Sequence, residues 1–210
     1  MAILTREFYN GDTVEIARAL LGKYIVRQLN GETLVCRINE TEAYVGRCDR
    51  ACHAFGYRKT ERNAVMFGPP GHAYIYFIYG MHFCLNFVTE PEGEPSAVLL
   101  RGVEPIYGID SICKARFGLE HCSQMSACQR KNFMNGPGKV CKGLSLSTQE
   151  NSSDLTDREL FICESTKDIG LPRHMITEPE HICVGPRIGV DYAGDDKDLP
   201  WRFLLKKGTD

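Results

Sequence analysis

Two carboxylates and a phenol stand two residues apart in the run Ile38-Asn39-Glu40-Thr41-Glu42-Ala43-Tyr44-Val45-Gly46. Side chains alternate across a strand, so this spacing predicts Leu34, Cys36, Ile38, Glu40, Glu42 and Tyr44 on one face. That face begins apolar and ends in acids, and a carboxylate on a core-side face is costly unless it is paired, hydrogen-bonded or used. The bland alternative is a strand end that emerges into solvent, where neighbouring glutamates carry no function.

Further along, Pro137-Gly138-Lys139 has the flavour of a phosphate loop, but a Walker motif needs glycine where Phe133 stands and Ser or Thr where Val140 stands. An ATP site is excluded. A helix opening at that glycine-rich turn would still offer free backbone N–H groups beside Lys139 and Lys142, which suits a backbone phosphate; solvated lysines at a plain helix start are the alternative. Cys48, Cys52 and His53 cluster without a second ligand pair at finger spacing, so a zinc site is not supported. Tyr79 precedes Gly80 at an apparent hairpin tip, where a flat ring has little core to enter and could wedge into a base stack. Asn86 lies in the return strand among apolar neighbours; an amide there either discriminates donors from acceptors on a ligand or is a satisfied core group.

These groups need a scaffold, and local signals supply one. Asp12-Thr13-Val14-Glu15 reads as a capping box, Ile16, Ala19 and Leu20 share a helical face, and Gly22 stops the helix. Strands are predicted over 23–29 and 34–44, joined through Asn30-Gly31 as a hairpin. Residues 46–71 form a long irregular segment, followed by the aromatic hairpin HAYIYFIYGMHFCLNFVT and a strand over 97–101. After Pro105 the spacing over 104–118 predicts a helix, FGLEHCSQMSACQRK a helical or mobile connection, and NGPGKVCKGLSLS a turn opening a short helix. Late strands are predicted over 159–163 and 181–190. The fold class is α+β: one mixed domain over 1–210, an antiparallel β-sheet with surrounding helices and a protruding aromatic hairpin.

Composition narrows the function. The 210 residues are 43% hydrophobic and 25% charged, ordinary for a globular protein able to bury a sizeable core. Ten cysteines spread through a chain of this length suit reduced thiols better than a disulfide scaffold. The N-terminal run carries charges where a signal peptide would be apolar, and no window reaches the ~18 uninterrupted apolar residues of a membrane span. The expected setting is inside the cell, in the cytoplasm or nucleoid, or in the nucleus of a eukaryote, with no membrane partner. A net charge of −2 gives no global case for nucleic acid, so DNA would need a local basic face. Arg58, Lys59, Arg62, Lys139, Lys142 and Arg187 are available for one, with the acidic run Glu90, Glu92, Glu94 turned away.

Taken together, ETEAYVG, the Ala51-Cys52-His53 step, MFGPPGHAYIYFIYGMHFCLN, AVLLRGVEP, NGPGKVCKGL and GPRIGVDYAG resemble the alkyladenine (3-methyladenine) DNA glycosylases, single-domain base-excision enzymes. The motifs occur in order from the N-terminal helix to Trp201 and are sparsest over 117–133 and 147–177. The resemblance implies a monofunctional hydrolase that flips a damaged, alkylated or deaminated purine out of double-stranded DNA and hydrolyses its N-glycosidic bond with a water, leaving an abasic site. By motif match Glu42 is the general base, with Glu40 in support, and Tyr44 and Tyr76 stack the extruded base. His53 hydrogen-bonds near base and sugar, Asn86 clashes with the exocyclic amine of guanine, and Arg101 helps hold the nucleotide. Tyr79 intercalates and Lys139 meets the DNA backbone. No metal or organic cofactor is implied, and a monomer is expected. Three other readings compete: a metal hydrolase built on Cys48, Cys52, His53 and Glu42, a binder that inserts Tyr79 without cutting, and a glycosylase with a lyase step, which needs a pocket amine.

Overall fold

The computed structural model describes residues 3–176 and 178–208. Asp12 caps helix α2 (Thr13–Ala19) by accepting from the Val14 and Glu15 amides at 2.9 and 3.0 Å, after a single helical turn, α1 (Arg6–Tyr9). Strands β1 (Tyr24–Leu29) and β2 (Glu32–Val45) follow, closed by Asn30 and Gly31 at φ 50° and 80°, the left-handed pair that a two-residue hairpin turn requires. The aromatic segment forms the hairpin of β3 (Ala73–Ile78) and β4 (His82–Thr89), and β5 (Ser96–Tyr107) returns beside it. Three helices come next: α3 (Ile109–Phe117), α4 (Ala127–Lys131) and α5 (Pro137–Gly143). Strands β6 (Leu160–Cys163), β7 (Glu180–Gly185) and β8 (Arg202–Lys207) complete one curled, wholly antiparallel sheet of eight strands. Among the described residues no helix is long and apolar enough to cross a membrane.

β2 is the spine. It pairs with β5 along one edge from Val35 to Val45, and on the other with β1 over Glu32–Arg37 and then with β8 over Glu40–Glu42. At the point where it changes partners, Asn39 has no opposite number on β5, and Arg101 has none on β2. Each unpaired residue is a bulge, and each turns its strand over by one residue. Leu34, Cys36 and Ile38 therefore share the main core with Ala43, and on β5 Val98 and Leu100 share it with Val103. The expectation that Glu42 and Tyr44 continue the face of Leu34, Cys36 and Ile38 is thus corrected: both point from the opposite face of the sheet.

Helices cover the core face. Ile16, Ala17 and Leu20, Ile112, and Val140, Cys141 and Leu144 pack there, and Thr41 Oγ1 donates to Ala17 O at 2.7 Å, tying α2 to β2. The helix expected over 104–118 starts only at Ile109, because β5 runs on through Pro105; the missing amide is tolerated at a register shift opposite Val35 and Cys36. The strand expected over 181–190 stops at Gly185, and residues 186–190 cross to the other face of β2 instead. Strand β8 carries no alternation signal strong enough to announce it.

The end of β2 admits no side chain at Gly46, where a Cβ would stand 2.0 Å from the Pro95 carbonyl oxygen. Backbone cannot yield as a side chain can, so Gly46→Ala is expected to cost about 1–3 kcal/mol or more, read as a lowered urea midpoint with an unchanged slope.

Candidate active site

Glu42 is fully buried. Its Oε1 accepts from the Ile188 amide at 2.8 Å, and its Oε2 from the Tyr44 hydroxyl at 2.8 Å and more distantly from Arg101 Nη1 at 3.4 Å. Burial pushes the carboxyl above its ordinary pKa; Arg101, the Ile188 amide and the Tyr44 hydroxyl pull it back only in part, and Glu40 adds to the rise. The result is a fixed carboxylate that is more basic than a solvated one. Arg101 is supplied by the β5 bulge, and its Nε also meets Glu40 Oε1 at 3.2 Å.

The segment 186–190 is held down by Arg187. Its guanidinium, expected on the DNA-facing surface, is instead wholly buried and ion-paired with Asp49, and it donates to Ala43 O at 2.9 Å and Asp196 O at 3.0 Å. The Tyr44 and Trp201 rings lie 4.8 and 5.2 Å from it. One side chain thereby seats the Tyr44 ring, the β2 backbone beside Glu42 and the amide that orients Glu42. Local sequence has no means of showing this, since Asp49 lies 138 residues away.

Tyr44, Arg101 and Ile188, the residues that hydrogen-bond Glu42, line a cleft of about 560 Å³ together with His53, Met66, Tyr76 and Asn86, and Glu42 itself lies behind that lining. His53 Nδ1 lies 2.9 Å from the Tyr74 hydroxyl, and its ring meets Tyr76 edge-on at 4.6 Å. Burial, with Arg62 nearby, lowers the His53 pKa to about 4, so the imidazole is neutral at physiological pH. Asn86 Nδ2 donates to Tyr74 O at 3.0 Å and Cys84 O at 3.4 Å. Arg62 covers the Tyr76 ring at 4.9 Å. Tyr79 sits on the rim, 78% exposed, at φ 54° beside Gly80 at 68° in the β3–β4 turn. Lys139 also lines the cleft, with Nζ 3.1 and 2.9 Å from the Asn132 and Asn135 side-chain oxygens.

Of the eight residues singled out in the sequence, seven, Tyr44, His53, Tyr76, Tyr79, Asn86, Arg101 and Lys139, line one cleft, and Glu42 lies buried behind it in hydrogen-bond contact with Tyr44 and Arg101. Of the grouping that would make a metal hydrolase, Cys48 is exposed, Cys52 is buried and His53 is turned to Tyr74. Among the described residues no three His, Cys, Asp or Glu side chains converge to hold a metal ion. Met66, Cys84 and Tyr192 also line the cleft, and only their neighbourhood in space marks them.

A family model described as methylpurine-DNA glycosylase matches residues 7–209. A provisionally named 3-methyladenine DNA glycosylase of Desulfitobacterium hafniense is 41% identical over 206 residues, which cover 98% of this chain and 96% of the relative. Proteins of the same provisional name from Clostridium perfringens and Bacillus cereus are 40% and 42% identical, covering 97% and 95% of this chain and 95% and 93% of their own lengths. With this sheet and its buried carboxylate, such likeness over the whole length defines a DNA glycosylase, a hydrolase. The chain belongs to the methylpurine-DNA glycosylase family.

Truncating Arg187 to Met strands the Asp49 charge in the interior. Loss of one partner of a buried pair costs ~3–5 kcal/mol, so Arg187→Met is expected to lower the denaturation midpoint sharply. Arg187→Met combined with Asp49→Leu should recover most of that loss, and a double-mutant cycle of urea unfolding measures it.

Proposed function

We propose that the protein excises damaged purines from double-stranded DNA. The observation that carries this reading is the fully buried Glu42 carboxylate, held by the Ile188 amide, the Tyr44 hydroxyl and, more distantly, Arg101, three residues that line the aromatic cleft in front of it. The damaged nucleotide swings out of the helix, and its base lies between Tyr44 and Tyr76. Glu42 takes a proton from a water whose oxygen bonds to the sugar C1′. The C1′–N bond breaks with its electrons passing to the base, which leaves free base and an abasic site. The carboxylate also offsets the positive charge that builds on the sugar, as in glycoside hydrolysis.

The other residues divide the remaining work. His53 hydrogen-bonds near base and sugar as a neutral imidazole, Asn86 rejects the exocyclic amine of guanine, and Arg101 helps hold the nucleotide. Tyr79 fills the vacated stack, while Lys139 meets a backbone phosphate. Flipping costs a few kcal/mol, least for damaged or mismatched bases, and each aromatic stack returns ~1–3 kcal/mol, so selection begins before the cleft is entered. Alkylated and deaminated purines form the substrate class, and the single domain acts as a monomer without metal or organic cofactor. A panel of duplexes carrying 3-methyladenine, 7-methylguanine, hypoxanthine or ethenoadenine, read by release of free base, tests this; well-folded protein that releases none of them would overturn it.

Glu42→Gln keeps the shape and removes the base. Single-turnover excision is expected to fall by ~10²–10⁴-fold or more while lesion binding persists. In the wild type the rate should rise with pH as Glu42 loses its proton, with a midpoint above the ordinary carboxylate range because burial raises the folded pKa. His53, neutral above about 4, adds no limb there.

Tyr79→Ala leaves Glu42 and its water in place but lets the nucleotide swing back, so the flipped fraction should fall. The rate should drop roughly tenfold on intact duplex and less on a lesion opposite a gap, where extrusion is easier. Equal losses on both substrates would make Tyr79 a pocket residue rather than a wedge.

A further inference from the structure

Four charged side chains alternate in sign along the seam where β2 leaves β1 for β8: Glu42, Arg101, Glu40 and Arg202. Arg101 stands between the two acids, Nη1 3.4 Å from Glu42 and Nε 3.2 Å from Glu40. Glu40 Oε1 is itself shared, lying 2.7 Å from Arg202 Nε. The Glu40 carboxylate reaches this position across Gly102, its partner on β5, where a Cβ would stand 3.1 Å from Glu40 Cβ, 3.3 Å from Glu40 Oε2 and 2.7 Å from Asn39 Oδ1. An ordinary surface ion pair needs neither the bulges nor that glycine. Glu40 and Arg101 are each only 12% exposed, so the network is held largely out of solvent.

We propose that Glu40 is a positioning residue for excision: it draws the Arg101 guanidinium away from Glu42, so that the cation orients the general base without neutralising it. The inference rests on the reading of Glu42 as that base. An arginine free to form a full pair favours the charged carboxylate and weakens it as a proton acceptor. Shared between two acids, Arg101 has only the long 3.4 Å contact left for Glu42. The other groups facing Glu42 do not replace Glu40 in this role. Tyr44 from β2 and Cys84 from β4 are kept neutral by burial, which pushes both up. Arg187 is taken by Asp49, and Arg202, opposite Glu42 on β8, gives its Nε to Glu40.

The test is the pH dependence of single-turnover excision of 7-methylguanine from duplex, beside a carbon-13 titration of the Glu42 carboxyl assigned by its loss in Glu42→Gln. Glu40→Gln keeps an acceptor oxygen at the same reach and removes the charge. Arg101 then acts on Glu42 undivided, so the acid limb and the carboxyl titration should both move to lower pH, and the plateau rate should fall roughly threefold to tenfold as the base weakens. Arg202→Gln releases Glu40 to hold Arg101 more fully, and both curves should move to higher pH. Opposite shifts support the inference. Unmoved curves, or two shifts of the same sign, would reduce Glu40 to scaffolding, and should Glu40→Gln fail to fold, the direction of the Arg202→Gln shift decides alone. If residual activity of Glu42→Gln keeps the wild-type limb, Glu42 as base is what fails, while the carboxyl titration still decides whether Glu40 tunes it.

Discussion

Between Ile38 and Thr41 the spine strand carries one residue too many for its neighbour, and β5 answers with one too many at Arg101. A bulge leaves a residue unpaired and bends the strand, a cost that a regular ladder avoids. Here the two bulges turn both strands over at the same height. Ahead of them the face that packs on α2 and α5 is aliphatic; beyond them that face continues through Thr41 and Ala43, which frees Glu42, Tyr44 and Arg101 for the far side. Glu42, its hydroxyl donor and its arginine therefore emerge together from the rigid middle of the sheet. Strand-borne groups hold their geometry better than loop-borne ones.

A fully buried carboxylate is expensive, and the surroundings of Glu42 offset that cost without quenching the acid. Two donors, a backbone amide and a phenol, fix its oxygens, while the nearest cation is kept at 3.4 Å by a competing acid. The backbone donor comes from a segment that has no regular structure and would wander without Arg187. That side chain is anchored by an ion pair and stacked between two rings, and it bridges four separate parts of the chain.

Around this rigid centre the cleft is graded from fixed to free. His53, Tyr74 and Tyr76 brace one another at the inner wall. At the rim Tyr79 is open to solvent in a left-handed conformation that a non-glycine residue adopts only at some cost. Lys139 in the cleft lining is steered by two asparagine oxygens.

Much of this was legible in the residues themselves, because the signals concerned are local. Asp12 caps its helix, Asn30-Gly31 closes its hairpin, the aromatic run forms its hairpin with Tyr79 at the turn, and the ordered motifs point to the family and to seven residues that line one cleft, with Glu42 buried behind it. What strict alternation along β2 could not show is the face on which Glu42 lies, because a bulge is settled by the competition of three neighbouring strands for one backbone. Nor does any local pattern turn Arg187 inward, end β7 at Gly185 or add β8, since their partners lie far off along the chain. Local conformational preference wrote the elements and supplied the reactive side chains; long-range pairing chose which side of the sheet they serve, because only the assembled core decides which face is left for a cleft.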